Sequence, residues 1–141
     1  MARRRRRPQA PQSPPRLILD AGAVVALSRE DPRVRAVLAS AREARVHVSI
    51  PSVVVAETVR GVATDAPVNR VLKAVGEVDP ADEAVGRTAG RLLGGASSSA
   101  TVDAIVVATA VEARGAVVLT GDPGDLGALA GANPEVIIEA L

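Results

Sequence analysis

The sequence predicts an α/β domain: a central, mainly parallel sheet flanked by helices on both faces. Three observations point to it. Short apolar runs of strand length, RLILD at 16–20, VHVSI at 46–50 and AVVLT at 116–120, are each followed by a stretch compatible with helix. Strands that alternate with helices along the chain need crossover connections, and crossovers build parallel sheets. The length of 141 residues suits one domain with a substantial core and is too short for two ordinary ones.

Taken in order, residues 16–20 read as a buried strand that feeds the helix-compatible AGAVVALSRE. Asp31 supplies an N-cap and Pro32 a first-turn proline for a second helix, with Val34, Val37, Leu38 and Ala41 on one face. The next strand covers 46–50. The β-branched PSVVVAETVRGV would pass as strand by propensity, but Pro51 at its start and Gly61 at its end favour helix. Residues 66–76 form a short helical piece. GEVD at 76–79 is too brief and polar for a central strand, yet it stands where a connecting strand fits. PADEAVGRTAGRLLGG is helical, with Val85, Thr88, Ala89, Leu92 and Leu93 on one stripe. ASSSAT links it to a helix over 102–114, in which Ile105, Val106, Ala108 and Thr109 are expected to be buried. Gly115 stops that helix, AVVLT is a strand, DPGDLGALA turns into a helix, and EVIIEAL is the last strand.

Composition narrows the chemistry. The chain has no aromatic residue, so its core is built from Val, Leu, Ile and Ala, and nucleic-acid bases have no aromatic platform to stack on. Without Cys there is no disulfide, thiolate nucleophile or zinc–thiolate site, and the single His47 excludes a His-rich metal site. Any metal has to be oxygen-bound. Of the 17 basic residues, five are Arg3 to Arg7; the remaining 12 face 16 acids, so the body carries a net −4 behind a basic tail. Residues 1–15, rich in Arg, Pro and Gln, are expected to be disordered, either as an electrostatic arm for nucleic acid or as a solvated extension. No apolar run nears the roughly 20 residues that cross a bilayer, and the N-terminus lacks an apolar signal-peptide segment, so a soluble cytoplasmic protein is expected.

The acids carry the functional signal. Asp20 and Asp122 each sit just past the carboxyl end of a predicted strand, where ligands gather in open parallel sheets. Asp103 stands in the first turn of an apolar helix, and Glu57 in a mostly apolar one. A carboxylate buried alone in such surroundings would protonate, so four of them invite a cation. Carboxylates and water are the natural ligands of Mg²⁺ or Mn²⁺, and metal-assisted phosphodiester hydrolysis needs no Cys, His or aromatic residue. Each acid also has a structural role open to it. Asp20 and Asp122 can cap the helices that follow, Asp103 can complement a helix dipole, and Glu57 can be a surface residue. Asp125 is either a further ligand or an early-turn acid, and Thr120 either bonds a ligand or is a strand-end hydroxyl. His47 is assigned no chemistry. Arg16, Arg60, Arg87, Arg91 and Arg114 are candidates for phosphate contact.

With these residues in place, the sequence resembles PIN-domain ribonucleases, specifically the VapC-type toxins of bacterial toxin–antitoxin pairs. The resemblance covers residues 16–141. LILDAGAVVAL is similar to the family's opening strand and its terminal Asp, here Asp20. PSVVVAETVRG resembles the segment carrying its Glu, here Glu57, and TVDAIVVATAVEARGAVVLTGDPGDL resembles the paired third and fourth acidic motifs, here Asp103 and Asp122. The resemblance implies a PIN-like three-layer sandwich and a Mg²⁺- or Mn²⁺-dependent endoribonuclease. Its implied target is structured RNA, tRNA or ribosomal RNA, and cleavage would halt translation. It also implies a VapB-like antitoxin partner and a homodimer. The Arg-rich tail and the absence of aromatic residues depart from the family pattern. The alternative is a PIN-fold protein that binds RNA or an antitoxin without cutting.

Overall fold

The computed structural model describes residues 16–141; the expectation for the tail at 1–15 lies outside them. Five strands, β1 (Arg16–Leu19), β2 (His47–Pro51), β3 (Val78–Asp79), β4 (Ala116–Thr120) and β5 (Val136–Ala140), form one sheet in the order β3-β2-β1-β4-β5. Every neighbouring pair is parallel. Seven helices connect them: α1 (Ala21–Ser28), α2 (Pro32–Glu43), α3 (Ser52–Thr58), α4 (Ala66–Val75), α5 (Glu83–Ala96), α6 (Thr101–Glu112) and α7 (Pro123–Ala130), with a 3₁₀ turn at Ala63–Asp65.

The chain starts in the middle of the sheet, moves out through β2 to β3, then crosses back to β4 and out to β5. Right-handed crossovers place α1–α4 on one face and α5–α7 on the other. The packing agrees, since α1 touches α2, α3 and α4 while α5, α6 and α7 touch one another. This is the three-layer α/β sandwich expected from the alternating pattern.

Ile18, Leu19, Val118 and Leu119 from the central strands, with Ile50, pack against Val24, Val54, Val106, Val107 and Leu126 with almost no solvent contact. Burial of each such aliphatic side chain contributes about 1.5–3 kcal/mol, so a core without aromatics is built from many medium-sized side chains. In α6, Ala104 and Val106 through Ala110 are all buried, because the helix is covered by the sheet, α5 and α7.

Several local details differ from the sequence expectations. GEVD does contain a strand, the two-residue β3, but as the edge strand beside β2, a place where polarity is tolerated. Helix α3 stops at Thr58, before Gly61, and the Thr58 hydroxyl donates to Val54 O at 2.8 Å. Helix α6 spans 101–112 instead of 102–114, and Ile105 is half-buried. Half-buried His47 lies beside Glu77. Among the described residues no single helix is long and apolar enough to cross a membrane.

Candidate metal centre

The strand order reverses between β1 and β4, and the crevice beyond the carboxyl ends of those two strands is where an open parallel sheet binds ligands. Register puts Leu19 opposite Leu119 and so brings Asp20 beside Thr120. The Asp20 backbone N–H donates to Leu119 O at 3.0 Å, extending the ladder by one step. Asp20 then caps α1: its Oδ1 accepts from Ala21 N at 2.8 Å. Its Oδ2 accepts from the Thr120 hydroxyl, also at 2.8 Å. These two bonds fix a residue only 6 % exposed while leaving lone pairs on both carboxylate oxygens, so capping does not use up its capacity to accept.

Fully buried Thr120 has a second bond. Its oxygen accepts from Asp122 N at 3.0 Å, so one hydroxyl ties together the two β-to-helix junctions. Asp122 precedes α7 but makes no side-chain capping bond, unlike Asp20. Its carboxylate is free to group with those of Asp103, in the first turn of α6, and Asp125, in the first turn of α7. One oxygen from each of the three lies within 4.8 Å of the others. Asp20 and Glu57 stand outside that trio but face it electrostatically.

Burial, followed by the negative charges of Asp20, Asp122 and Asp125, pushes the Asp103 carboxyl above its ordinary range. Partial burial, then Asp20 and Asp103, does the same to Glu57, with Arg60 acting in the opposite sense. None of the carboxylates of Glu57, Asp103, Asp122 and Asp125 accepts a hydrogen bond from protein among the described residues. Converging carboxylates without donors are what a hard divalent cation requires, and their oxygen-only chemistry fits Mg²⁺ or Mn²⁺. A cleft of about 440 Å³, lined by Ser97, Ser98, Ser99 and Ala100 with Asp125 and Leu129, opens beside the trio. A larger groove of about 520 Å³ between α1, α2 and α4 holds none of these acids.

Two features fix the backbone around the site, one between the junctions and one after α3. A Cβ on Gly22 would lie 3.0 Å from Gly121 N and 3.2 Å from its Cα, so the α1 entry and the β4 exit approach so closely that a side chain there would have to push the backbone aside. After α3, the Asp65 carboxylate accepts from Arg60 N (3.0 Å), Gly61 N (2.7 Å) and Val62 N (3.0 Å). The Val62 bond first, with those from Arg60 and Gly61, lowers the Asp65 pKa against the effect of burial.

The structure thus brings Asp103 and Asp122 together and sets Asp20 and Glu57 around them. Thr120 contacts Asp20 and Asp122 in the protein. Asp125 is both an early-turn acid, as its position suggested, and the third member of the trio. Its spacing of three from Asp122 across a helix entry was the available signal. Neither Gly22 with Gly121 nor Asp65 stood out in the sequence, because a close approach and a backbone clamp depend on residues distant in the chain.

Comparison with known proteins is consistent with this fold. Solved structures with the same fold include VapBC2 from Rickettsia felis bound to a DNA fragment from their promoter (15 % identity, TM-score 0.69, covering 89 % of this chain and 98 % of that one). DNA-bound VapBC from Salmonella typhimurium is similar at 17 % identity and TM-score 0.65, with the same coverages of 89 % and 98 %. FitAcB from Neisseria gonorrhoeae shares 21 % identity at TM-score 0.60, covering 86 % of this chain and 95 % of that one. A sequence comparison with curated proteins gives no match. The family model for the PIN domain matches residues 17–130, which contain every acid of the candidate centre, and the chain belongs to the PIN domain family.

Proposed function

We propose that this protein is a metal-dependent endoribonuclease, the VapC-type toxin of a bacterial toxin–antitoxin pair, acting in the cytoplasm on structured RNA such as tRNA or ribosomal RNA. The observation that carries the reading is the Asp103, Asp122 and Asp125 trio at the sheet's switch point, without protein donors and backed by Asp20 and Glu57. PIN domains are in general metal-dependent nucleases, and the structurally similar VapBC and FitAcB proteins are complexes of the toxin–antitoxin kind, which supports an antitoxin partner; a homodimeric toxin is part of the proposal through the family resemblance alone.

Asp103, Asp122 and Asp125, with Asp20 and Glu57, would hold Mg²⁺ or Mn²⁺. When bound there, such a cation offsets phosphodiester charge and activates a water for attack. The protein's own contribution is placement. Thr120 and the α1 N-terminus orient Asp20, the Gly22–Gly121 approach sets the spacing of the two junctions, and the acids repel an RNA phosphate until their charge is neutralised.

The test is cleavage of total cellular RNA by the purified, antitoxin-free chain with Mn²⁺ or Mg²⁺, with EDTA, and with Asp20→Asn as control. Discrete metal-dependent fragments that disappear with EDTA and with the variant are expected. Fragments unchanged in the Asp20→Asn reaction would overturn the assignment of that residue. No cleavage with any metal would favour a PIN-fold protein that binds RNA or an antitoxin without cutting.

A further inference from the structure

We infer that Arg60 is a substrate-positioning residue that holds an RNA phosphate next to the acidic cluster through the Nε and Nη2 edge of its guanidinium. The inference rests on the nuclease reading above and adds to it a residue that binds substrate without touching the metal.

Arg60 lies two residues past the end of α3 and three past Glu57. Its Nη1 donates to Ala56 O at 2.9 Å and to Val59 O at 3.2 Å. Those bonds occupy both Nη1 protons and pin the guanidinium on the carboxyl end of α3. The Nε proton and the two on Nη2 have no acceptor among the described residues. That edge presents two parallel N–H groups, the geometry that matches two oxygens of a phosphate. The backbone beneath is fixed as well, since Arg60 N is one of the three donors held by Asp65. A side chain anchored at both ends loses little freedom on binding.

The charge of Arg60 also reaches the site, since it acts on the Glu57 carboxyl. The ion pairs among the described residues are Arg16–Asp79, His47–Glu77 and Arg87–Glu83, so Arg60 is not consumed by Glu57, although its charge acts on that carboxyl. The other arginines considered from sequence are engaged or placed elsewhere. Arg16 is tied to Asp79 and Arg87 to Glu83. Arg91 donates to the Thr88 hydroxyl, which donates to Glu112 at the far end of α6 from Asp103. Arg114 follows that same end, at the amino end of β4. An RNA strand crossing this acidic cluster needs a fixed positive group for a neighbouring phosphate, and Arg60 supplies it without base readout.

The experiment measures anisotropy of a short fluorescein-labelled RNA of mixed sequence on the full chain, with and without Ca²⁺ as a binding-competent substitute for the working metal. Wild type, Arg60→Gln and Arg60→Lys are compared over a range of salt, so the tail arginines contribute equally to each. Arg60→Gln is expected to lose about tenfold of the Ca²⁺-dependent affinity and to reduce the salt slope by about one. Arg60→Lys should keep the slope but recover only part of the affinity, because it lacks the fork. In cleavage reactions the Gln variant should raise KM more than it lowers kcat. Circular dichroism checks folding, and the Lys variant carries the test alone if the Gln variant unfolds. Equal affinities across the variants, or no Ca²⁺-dependent binding by wild type, would overturn the inference. Arg60-dependent binding without cleavage would leave it standing and overturn the nuclease reading instead.

Discussion

Asp20 and Thr120, one hundred residues apart in the chain, are joined by a buried hydrogen bond of 2.8 Å from the hydroxyl to Oδ2. The same hydroxyl accepts from Asp122 N, so removing it orphans groups on both sides of the switch point. Thr120→Val keeps the shape and loses the bonds. It should destabilise the fold by about 1–3 kcal/mol and weaken Mn²⁺ binding about 10- to 100-fold, whereas Thr120→Ser should stay near wild type. Urea unfolding and calorimetric Mn²⁺ titration read the two effects, and a Val variant with unchanged metal affinity would make the hydroxyl purely structural.

Asp125 groups with Asp103 and Asp122, so Asp125→Asn should weaken Mn²⁺ binding by an amount comparable to Asp122→Asn. Titration of both variants side by side decides it. If only Asp122→Asn matters, Asp125 serves the helix dipole of α7.

The Asp103 and Glu57 carboxyls are held above their ordinary values, through burial first and the negative charge of Asp20 second. A group raised on folding contributes stability below its unfolded pKa that is lost as pH rises through its folded pKa. Metal-free protein should therefore lose stability from these groups as pH climbs through the upper carboxylate range. Mn²⁺ at 100 times its Kd should return about 2.7 kcal/mol at neutral pH. Thermal melts across pH, with and without Mn²⁺, test this; a metal-free protein whose stability does not fall over that range, or an Asp103→Asn variant that falls just as steeply, would contradict it.

Asp65 behaves in the opposite sense. Its carboxylate is favoured by three backbone N–H groups, Val62 foremost, so its contribution is present above the unfolded aspartate pKa and is lost as pH falls through the lower folded value. Asp65→Asn should lower Tm at neutral pH and narrow its gap to wild type in strong acid, and hydrogen exchange at Gly61 and Val62 should quicken.

Gly22→Ala would place a methyl 3.0 Å from Gly121 N and should destabilise by about 1–3 kcal/mol while loosening the metal site. Gly90→Ala, in α5 with open space around the new Cβ, should instead stabilise by about 0.5–1 kcal/mol. Chemical denaturation of both variants separates close approach from helix propensity, and a tolerated Gly22→Ala would show that the junction can yield.

The sequence by itself determined the alternation of strands and helices, because apolar runs and caps are local: Asp31 with Pro32 starts α2, and Gly115 with φ 116° follows the end of α6. It also placed Asp20, Glu57, Asp103 and Asp122 at strand ends and in apolar helices, where their cost in isolation is visible from neighbours alone. The tertiary structure decided the rest. Strand order and register are set by contacts between segments far apart, and only they bring the Thr120 hydroxyl to Asp20 and the Gly22 backbone to Gly121. The same holds for Asp125 joining the trio and for Arg60 standing apart from the other arginines, since a side chain's partners depend on which face the fold gives it.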